Sequence, residues 1–132
     1  MWPLHHSLRR LPARLLLTKQ LAQRATAWKL RAMGDEYDKE IYDNLRSTSR
    51  DPLTHGILGR HFEGLDQLDL AQEHYELGVT YGANMAMPHW MLGFFYLDQP
   101  SRRAETHSAW AVYLEFAPSG RRAERAREQL GR

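Results

Sequence analysis

Seven histidines are the residues of this chain with the clearest chemical potential, because imidazole is a common metal ligand and general base. They are His5, His6, His55, His61, His74, His89 and His107. None stands in the HExxH spacing that places two imidazoles on one helix face, and no cysteine is present to add a thiolate. His55 and His89 have similar sequence surroundings, which predicts a structural role for both. We therefore expect no metal site and no cofactor.

The acidic pairs Asp35/Glu36 and Asp66/Asp69 are the next candidates, because neighbouring carboxylates can act as general acid and base. Both pairs lie where a helix is predicted to begin, and a helix N-terminus stabilises negative charge without any catalytic role. The sequence also lacks a glycine-rich phosphate loop, a GxSxG elbow and a plausible nucleophile–base set. We expect no catalytic residues and no enzymatic activity.

Charge is spread unevenly along the 132 residues, although the net charge is only +2. Residues 1–34 contain no acid, residues 35–98 are strongly acidic, and residues 99–132 are mildly basic. The cations of the first segment are Arg9, Arg10, Arg14, Lys19, Arg24, Lys29 and Arg31. This asymmetry predicts that residues 1–34 form a basic amphipathic arm, which contacts an anionic surface or a partner protein.

The composition of the arm leaves its role open. An arginine-rich, acid-free, leucine-bearing N-terminus is typical of a mitochondrial presequence, but an ordinary basic amphipathic helix has the same pattern. The cations could contact anionic lipid or dock on a protein. A nucleic acid is less favoured, because the arm has no interleaved aromatic residues for base stacking and the acidic body would repel a long duplex. We expect a cytoplasmic protein, peripheral to a membrane if the arm binds lipid, with a mitochondrial location as the alternative.

Apolar periodicity predicts helices along the whole chain, and no segment alternates long enough to indicate a strand. The Asp51-Pro52 pair is a strong helix start, since a capping carboxylate precedes a proline at the first helical position. Asp35 is predicted to cap a helix with Tyr37, Ile41 and Leu45 as its apolar stripe. The predicted helices cover residues 7–33, 36–46, 52–63, 67–81, 88–97, 102–116 and 121–130.

One constant offset relates two Leu-Gly pairs inside predicted helices and the residues around them. The matched pairs are His55 and His89, Leu58 and Leu92, Gly59 and Gly93, and Phe62 and Tyr96. We call this offset, which leads from Gly59 to Gly93, the repeat interval. Glycine inside a helix costs about 1 kcal/mol relative to alanine. Its recurrence with an aromatic residue three positions later predicts that another helix approaches closely at both glycines. Such helix pairs bury their apolar faces by stacking on one another.

These residues resemble the tetratricopeptide repeat, a unit of about 34 residues. In that family Leu-Gly is followed by an aromatic residue, an alanine, a second aromatic and a small residue. The first unit matches with Leu58-Gly59, Phe62, Ala71, Tyr75 and Gly78. The second begins with Trp90, Leu92-Gly93 and Tyr96, and its later half fits if the turn has one extra residue, which brings in Trp110 and Tyr113. The sequence YGAN is also similar to Sel1-like repeats, a related family. The resemblance covers residues 52–118.

The resemblance implies an all-α fold, a short α-solenoid of helix–turn–helix repeats. A basic N-terminal helix would precede a repeat domain over residues 35–132. Its units would occupy about residues 52–84 and 86–118, and a polar capping helix would occupy residues 120–131. The helix that follows residue 35 would be the second helix of a degenerate preceding unit.

In such repeats the first helices line a concave groove that binds protein segments. Carried over by position, the groove residues would be Gly56, Arg60, Glu63, Gly64, Trp90, Phe94, Leu97 and Asp98. An apolar stripe of Trp90, Phe94 and Leu97 suits an amphipathic partner helix. Two other interpretations remain: these side chains belong to the core, with Trp90 beneath the last helix, or the chain's own arm fills the groove.

The resulting hypothesis is a non-enzymatic adaptor, scaffold or assembly subunit that binds a peptide or helix segment of a partner protein. The alternative is a peripheral membrane or mitochondrial structural subunit of a larger complex, held by its basic arm. Membership of an RNA complex is a third and weaker hypothesis.

Overall fold

The computed structural model of the protein describes residues 12–131, which form seven α-helices and no strand. The predicted beginning of the first helix lies partly outside the described residues. The helices are α1 (Ala13–Met33), α2 (Lys39–Thr48), α3 (Pro52–Gly64), α4 (Leu68–Tyr81), α5 (Ala86–Leu97), α6 (Arg103–Phe116) and α7 (Arg121–Leu130). Short 3-10 turns occupy Gly34–Glu36 and Pro100–Arg102. The all-α prediction is therefore confirmed for this part of the chain.

Two helix hairpins form the centre of the fold. Helix α3 packs along α4 and helix α5 packs along α6, each pair joined by a short connection, while α4 also contacts α5. Helix α1 packs on α3 at one end, and α7 packs on α6 at the other. One core cluster surrounds Leu58, Phe62 and Tyr75, and a second surrounds Trp110 and Tyr113. Helix α2 contacts α1, and α3 also contacts α5, so that the two hairpins lie side by side between α1 and α7.

At Gly59 and Gly93 an aromatic ring of the second helix of the hairpin packs directly on the backbone of the first helix. A methyl group added at Gly59 would lie 2.8 Å from the Tyr75 ring of α4. One added at Gly93 would lie 2.3 Å from Cδ1 of Trp110 on α6. The predicted close approach is confirmed at both glycines. The sequence separation between Tyr75 and Trp110 exceeds that between Gly59 and Gly93 by one residue. This difference is the extra turn residue predicted for the second unit.

His55 and His89 make the same contact in the two hairpins, as their shared position predicts. Nε2 of His55 lies 2.8 Å from the carbonyl oxygen of Ser49, and Nε2 of His89 lies 2.9 Å from that of Ala83. Each carbonyl is six positions before its histidine. The two imidazoles therefore fasten the connecting segment that leads into their own helix, which confirms a structural role.

Side-chain caps begin α2 and α3, and among α2–α7 two helix starts differ from prediction by more than one position. The Asp51 carboxylate accepts the Thr54 N–H and Pro52 stands at the first helical position, as expected. Helix α2 is capped by Asp38 and not by Asp35, which lies in the preceding 3-10 turn. Helix α5 begins at Ala86, two positions before Pro88. Proline is tolerated at this position because the backbone N–H groups of the first turn have no intrahelical acceptor, so that no hydrogen bond is lost.

The predicted apolar stripe of α2 is partly wrong, since Leu45 is buried as expected but Tyr42 takes the place of Ile41. Ile41 is exposed, whereas Tyr42 and Leu45 are buried against α3 and α4. The later cap at Asp38 starts the helix three positions further along, and Tyr37 lies outside it and only half-buried. Packing selects the buried face, because the Tyr42 ring contacts Phe62 of α3 and His74 of α4.

Helix α1 is attached to the body by its second half. Ala27 and Leu30 are buried, and the Arg24 guanidinium makes two hydrogen bonds with the Asp51 carboxylate, of 2.7 and 3.0 Å. The first half is different: its four leucines, at positions 15, 16, 17 and 21, are 44–53% exposed. Within residues 12–131 no helix combines the length and apolar character needed to cross a bilayer.

We expect Gly93→Ala to lower the free energy of unfolding by about 1–3 kcal/mol, although alanine favours helix. The new methyl group would meet Trp110, which cannot move easily because its indole N–H donates to the Trp90 carbonyl at 3.1 Å. Urea unfolding followed by circular dichroism measures the change.

Gly64→Ala is the matched control, since no atom of the described residues lies within 4 Å of its added methyl group. Its stability should be unchanged or slightly higher. Equal effects of the two substitutions would show that close helix approach does not determine the need for glycine at residue 93.

Candidate functional site

The first helices of successive hairpins form a concave surface on one side of the molecule. A cleft of about 260 Å³ lies between α1, α3, α5 and α7. Its apolar lining is Trp28, Leu53, Ile57, Met87, Trp90 and Met91, and Arg24, Arg60 and Arg122 complete it. A second cleft of about 550 Å³ adjoins it and shares Trp90 and Arg122. We call the two clefts together the trough.

The apolar lining of the trough repeats with the sequence. Leu53 and Ile57 of α3 correspond, one repeat interval later, to Met87 and Met91 of α5. Met91 lies across Gly56, where an added methyl group would be 2.7 Å from its sulfur. Methionine is flexible and polarisable, so this lining can adapt to differently shaped apolar side chains.

The second cleft has aromatic walls and a cationic end. Trp90, Phe94 and Tyr113 line it from α5 and α6, and Ser119 and Gly120 line it from the connection before α7. Arg121, Arg122 and Arg125 of α7 complete the lining. The guanidinium carbon of Arg122 lies 5.9 Å from the centre of the Trp90 ring, and that of Arg125 lies 5.1 Å from Phe94. These contacts place the arginines over the aromatic residues.

Among the described residues, no acid lines either cleft, whereas five arginines do. Arg24 is neutralised by Asp51. Burial raises the pKa of Asp51, but the hydrogen bonds from Arg24 and Thr54 outweigh this effect, so that its pKa is lowered and it stays ionised. Within residues 12–131, Arg60, Arg121, Arg122 and Arg125 take part in no ion pair. The trough is therefore an apolar surface with a positive rim, on a body whose central sequence is acidic.

Three of the predicted groove residues lie in the trough. Arg60 and Trp90 line the first cleft, and Phe94 lines the second. Trp90 is not a projecting side chain, however: it is 6% exposed, and its ring is stacked 4.6 Å from that of Trp110. It packs in the same cluster as Ala123 and Ala126 of α7, so the interpretation of Trp90 as a core residue beneath the last helix fits its environment.

The other predicted groove residues line neither cleft. The Glu63 carboxylate accepts a 2.6 Å hydrogen bond from the Tyr75 hydroxyl. Leu97 faces a separate cavity near Pro100, and Asp98 is exposed at the end of α5. Gly56 is buried beneath Met91, and Gly64 is exposed at the end of α3. Apart from Gly56, these positions lie near the ends of the first helices, beyond the part that faces the trough.

The basic arm does not behave as one uniform surface. Arg9 and Arg10 lie outside the described residues. Arg14, Lys19, Lys29 and Arg31 are exposed on α1, whereas Arg24 is turned into the body and paired. Arg31 lies over the Trp28 ring at 5.1 Å. The second half of the predicted arm is thus a structural helix that contributes one wall of the trough.

The sequence interpretation missed most residues of the trough, including Trp28, Met91 and the three arginines of α7. Trp28 is 51% exposed, the clearest unburied aromatic residue on this surface. A signal for the methionines was available, because the pairs Leu53/Met87 and Ile57/Met91 are both apolar at the repeat interval. No such signal exists for Trp28, since α1 has no matching unit in the sequence.

A buried polar chain lies behind the trough. Nδ1 of His55 is 3.0 Å from Nδ1 of His74, and Nε2 of His74 is 2.7 Å from the Tyr42 hydroxyl. The Ser49 carbonyl can only accept, so His55 carries its hydrogen on Nε2. His74 then donates from Nδ1, and the Tyr42 hydroxyl donates to its Nε2. Every polar atom is satisfied only while both imidazoles are neutral.

Burial determines the protonation of these histidines. Desolvation lowers the pKa of His74 to about 3, helped by repulsion from His55 and Arg46. Desolvation also lowers the pKa of His55 and the pKa of His61. The two ring nitrogens of His61 have no hydrogen-bond partner among residues 12–131. In the same part of the chain, no three histidine, aspartate or glutamate side chains are grouped to hold a metal ion.

Comparison of the chain with models of protein families, with curated proteins and with solved structures gives no match.

We expect stability to fall as the pH falls below about 6.5, the value at which an exposed histidine gains its proton. The unfolded chain then binds a proton that folded His74 does not, down to a pH of about 3. At pH 4.5 this difference corresponds to a loss of about 2–3 kcal/mol from His74 alone. Urea unfolding at pH 7.5 and 4.5 measures it.

His74→Gln should make stability less dependent on pH, while His107→Gln, at a half-buried site outside this chain of contacts, should not. A wild-type protein equally stable at both pH values would contradict the neutral state assigned to the buried histidines.

Proposed function

We propose that the chain is a non-enzymatic adaptor or assembly subunit that binds a protein segment in the trough. The observation that carries this proposal is the trough itself, a concave and partly apolar surface formed by five helices and left without a covering element among residues 12–131. Apolar surface of this kind, with a polar rim, is typical of sites that bind a partner helix or peptide.

The resemblance to tetratricopeptide repeats is part of this proposal. Two features support it: the glycine–aromatic contact recurs in both hairpins, and the equivalent histidines bind equivalent carbonyls. Helices α1 and α2 would then be a degenerate first unit, with Trp28 on its inner helix. Helix α7 would be the capping helix that ends the array.

Trp90 is a poor position for testing the trough, because truncating a buried, stacked tryptophan costs about 3–5 kcal/mol of stability. Trp28 and Met91 are better, since Trp28 is half-exposed and Met91 is only partly buried. A Trp28→Ala/Met91→Ala double variant removes apolar surface from two walls of the cleft. Met91 packs against both core clusters from their edge, so the buried residues of each cluster stay in place.

The full chain carrying an affinity tag should capture at least about tenfold less partner protein from native extract when it bears this double substitution. The measurement is quantitative mass spectrometry of the co-purified proteins, with circular dichroism melting to check folding. Ile41→Ala/Leu68→Ala is the control, since both side chains are exposed and lie outside the trough. Equal capture by both variants would remove the trough from the proposal.

A second candidate function is peripheral attachment to a membrane, as a structural subunit in the cytoplasm or in mitochondria. The exposed leucines of the first half of α1, next to Arg14 and Lys19, favour it. Apolar side chains would enter the lipid interface, and each cation would add about 1 kcal/mol near an anionic surface.

Flotation of the full chain with vesicles of phosphatidylcholine and phosphatidylserine tests this second function. Arg14→Gln/Lys19→Gln should reduce the bound fraction about tenfold or more, while Lys39→Gln/Arg103→Gln should leave it unchanged. Flotation with neither kind of vesicle would contradict membrane attachment, and equal flotation with vesicles of phosphatidylcholine alone would contradict a role for the cations in it.

A further inference from the structure

We infer that the segment bound in the trough combines an apolar stretch with an acidic stretch, and that the acidic stretch lies against α7. This inference rests on the proposed function and specifies its partner. Its basis is the change in lining along the trough, from aliphatic side chains on α3, through methionines on α5, to arginines on α7.

The change from apolar to cationic lining occurs at equivalent positions of α3, α5 and α7. Leu53 and Ile57 of α3 are followed, one repeat interval later, by Met87 and Met91 of α5. A second step of the same interval leads to Arg121 and Arg125 of α7, which line the second cleft. The same row of positions is therefore apolar at one end of the trough and cationic at the other.

Charge complementarity selects an acidic occupant at the cationic end. Arg121, Arg122 and Arg125 line the second cleft without any acid, and none of them is in an ion pair among the described residues. A carboxylate-bearing segment could accept their guanidinium hydrogens, which form strong hydrogen bonds with carboxylates. Arg60 adds a further cation beside the apolar cleft.

The same charges argue against the chain's own N-terminus as the occupant. Residues 1–11 contain Arg9 and Arg10 and no acid, so they would bring cations towards a surface that is already cationic. A second copy of the trough would meet the same repulsion. The acid-rich surface of another protein has the opposite charge and is the better match.

A nucleic acid is anionic too, but the trough suits it less well. Leu53, Ile57 and Met91 offer aliphatic surface where a base would need a flat aromatic face. One face of Trp90 is stacked on Trp110, and Arg122 lies over its ring. In addition, residues 35–98 carry twelve acids against four cations, which repels a polyanion.

Three fluorescein-labelled model peptides can test the inference with the full chain. They share one stretch of leucine and phenylalanine and differ in an adjoining stretch of glutamate, glutamine or lysine. By fluorescence anisotropy in low salt, the glutamate peptide should bind roughly tenfold or more tightly than the glutamine peptide, and the lysine peptide most weakly. Raising the salt should narrow this difference. A labelled oligouridylate serves as the nucleic-acid probe.

Charge variants of α7 provide the specific check. Arg122→Glu/Arg125→Glu should abolish the preference for the glutamate peptide. If this charge reversal disturbs folding, the milder variant Arg122→Gln/Arg125→Gln replaces it and should reduce the preference. Lys39→Glu/Arg103→Glu, whose cations are exposed and outside the trough, should retain it. Trp28→Ala/Met91→Ala should weaken the glutamate and glutamine peptides by a similar factor, because it removes apolar surface and not charge.

The outcomes separate the inference from the proposed function. Peptides that bind equally whatever their charge, but lose affinity in the Trp28→Ala/Met91→Ala variant, would overturn the inference and leave the adaptor function intact. Binding of the oligouridylate alone would overturn both the acidic-peptide inference and the choice of a protein partner. An absence of peptide binding to the wild type would overturn the inference, while the capture experiment decides the function independently.

Discussion

Close approach of paired helices at glycine is the constraint on which the rest of this structure depends. The aromatic rings of Tyr75 and Trp110 occupy the space that a side chain at Gly59 or Gly93 would need. Because each ring then packs against the backbone of its partner helix, the second helices α4 and α6 lie close behind α3 and α5. The first helices are left side by side with one face uncovered by the described residues, and that face is the trough.

The distribution of charge follows from the same architecture. Several acidic residues of the central sequence lie at helix starts, in hydrogen bonds with buried hydroxyls, or in ion pairs such as that of Glu73 with Arg46. Asp51 performs two of these roles at once, since it caps α3 and holds Arg24. With the acids engaged elsewhere, the side chains that line the trough are largely apolar or cationic. A protein with a modest net charge of +2 thereby presents a strongly positive local surface.

The helices could be predicted from sequence because their signals are local. The last helix was expected over Arg121–Leu130 and has these bounds, and the Asp51-Pro52 start is as expected. The failure at Asp35 is also local, since two acids compete as caps and Asp38 prevails. The site was less predictable. Spacing places Trp90 on the correct helix face, but its depth depends on α7 packing over it, which is a long-range contact. Trp28 lies on α1, which has no repeated counterpart in the sequence, so no periodic signal pointed to it.

The buried histidine chain shows how the two hairpins, although equivalent in packing, differ in their response to acid. His55 and His89 bind equivalent carbonyls, but among the described residues only His55 has a second imidazole hydrogen-bonded to it, because the position of His74 is occupied by Ala109 in the other hairpin. Protonation of His55 at Nδ1 would oppose the N–H of His74 in a fully buried site. Acid therefore weakens the first hairpin more than the second. Since Trp28 reaches the trough from α1, which packs on that first hairpin, the apolar end of the trough is the end whose supporting core depends on neutral histidines.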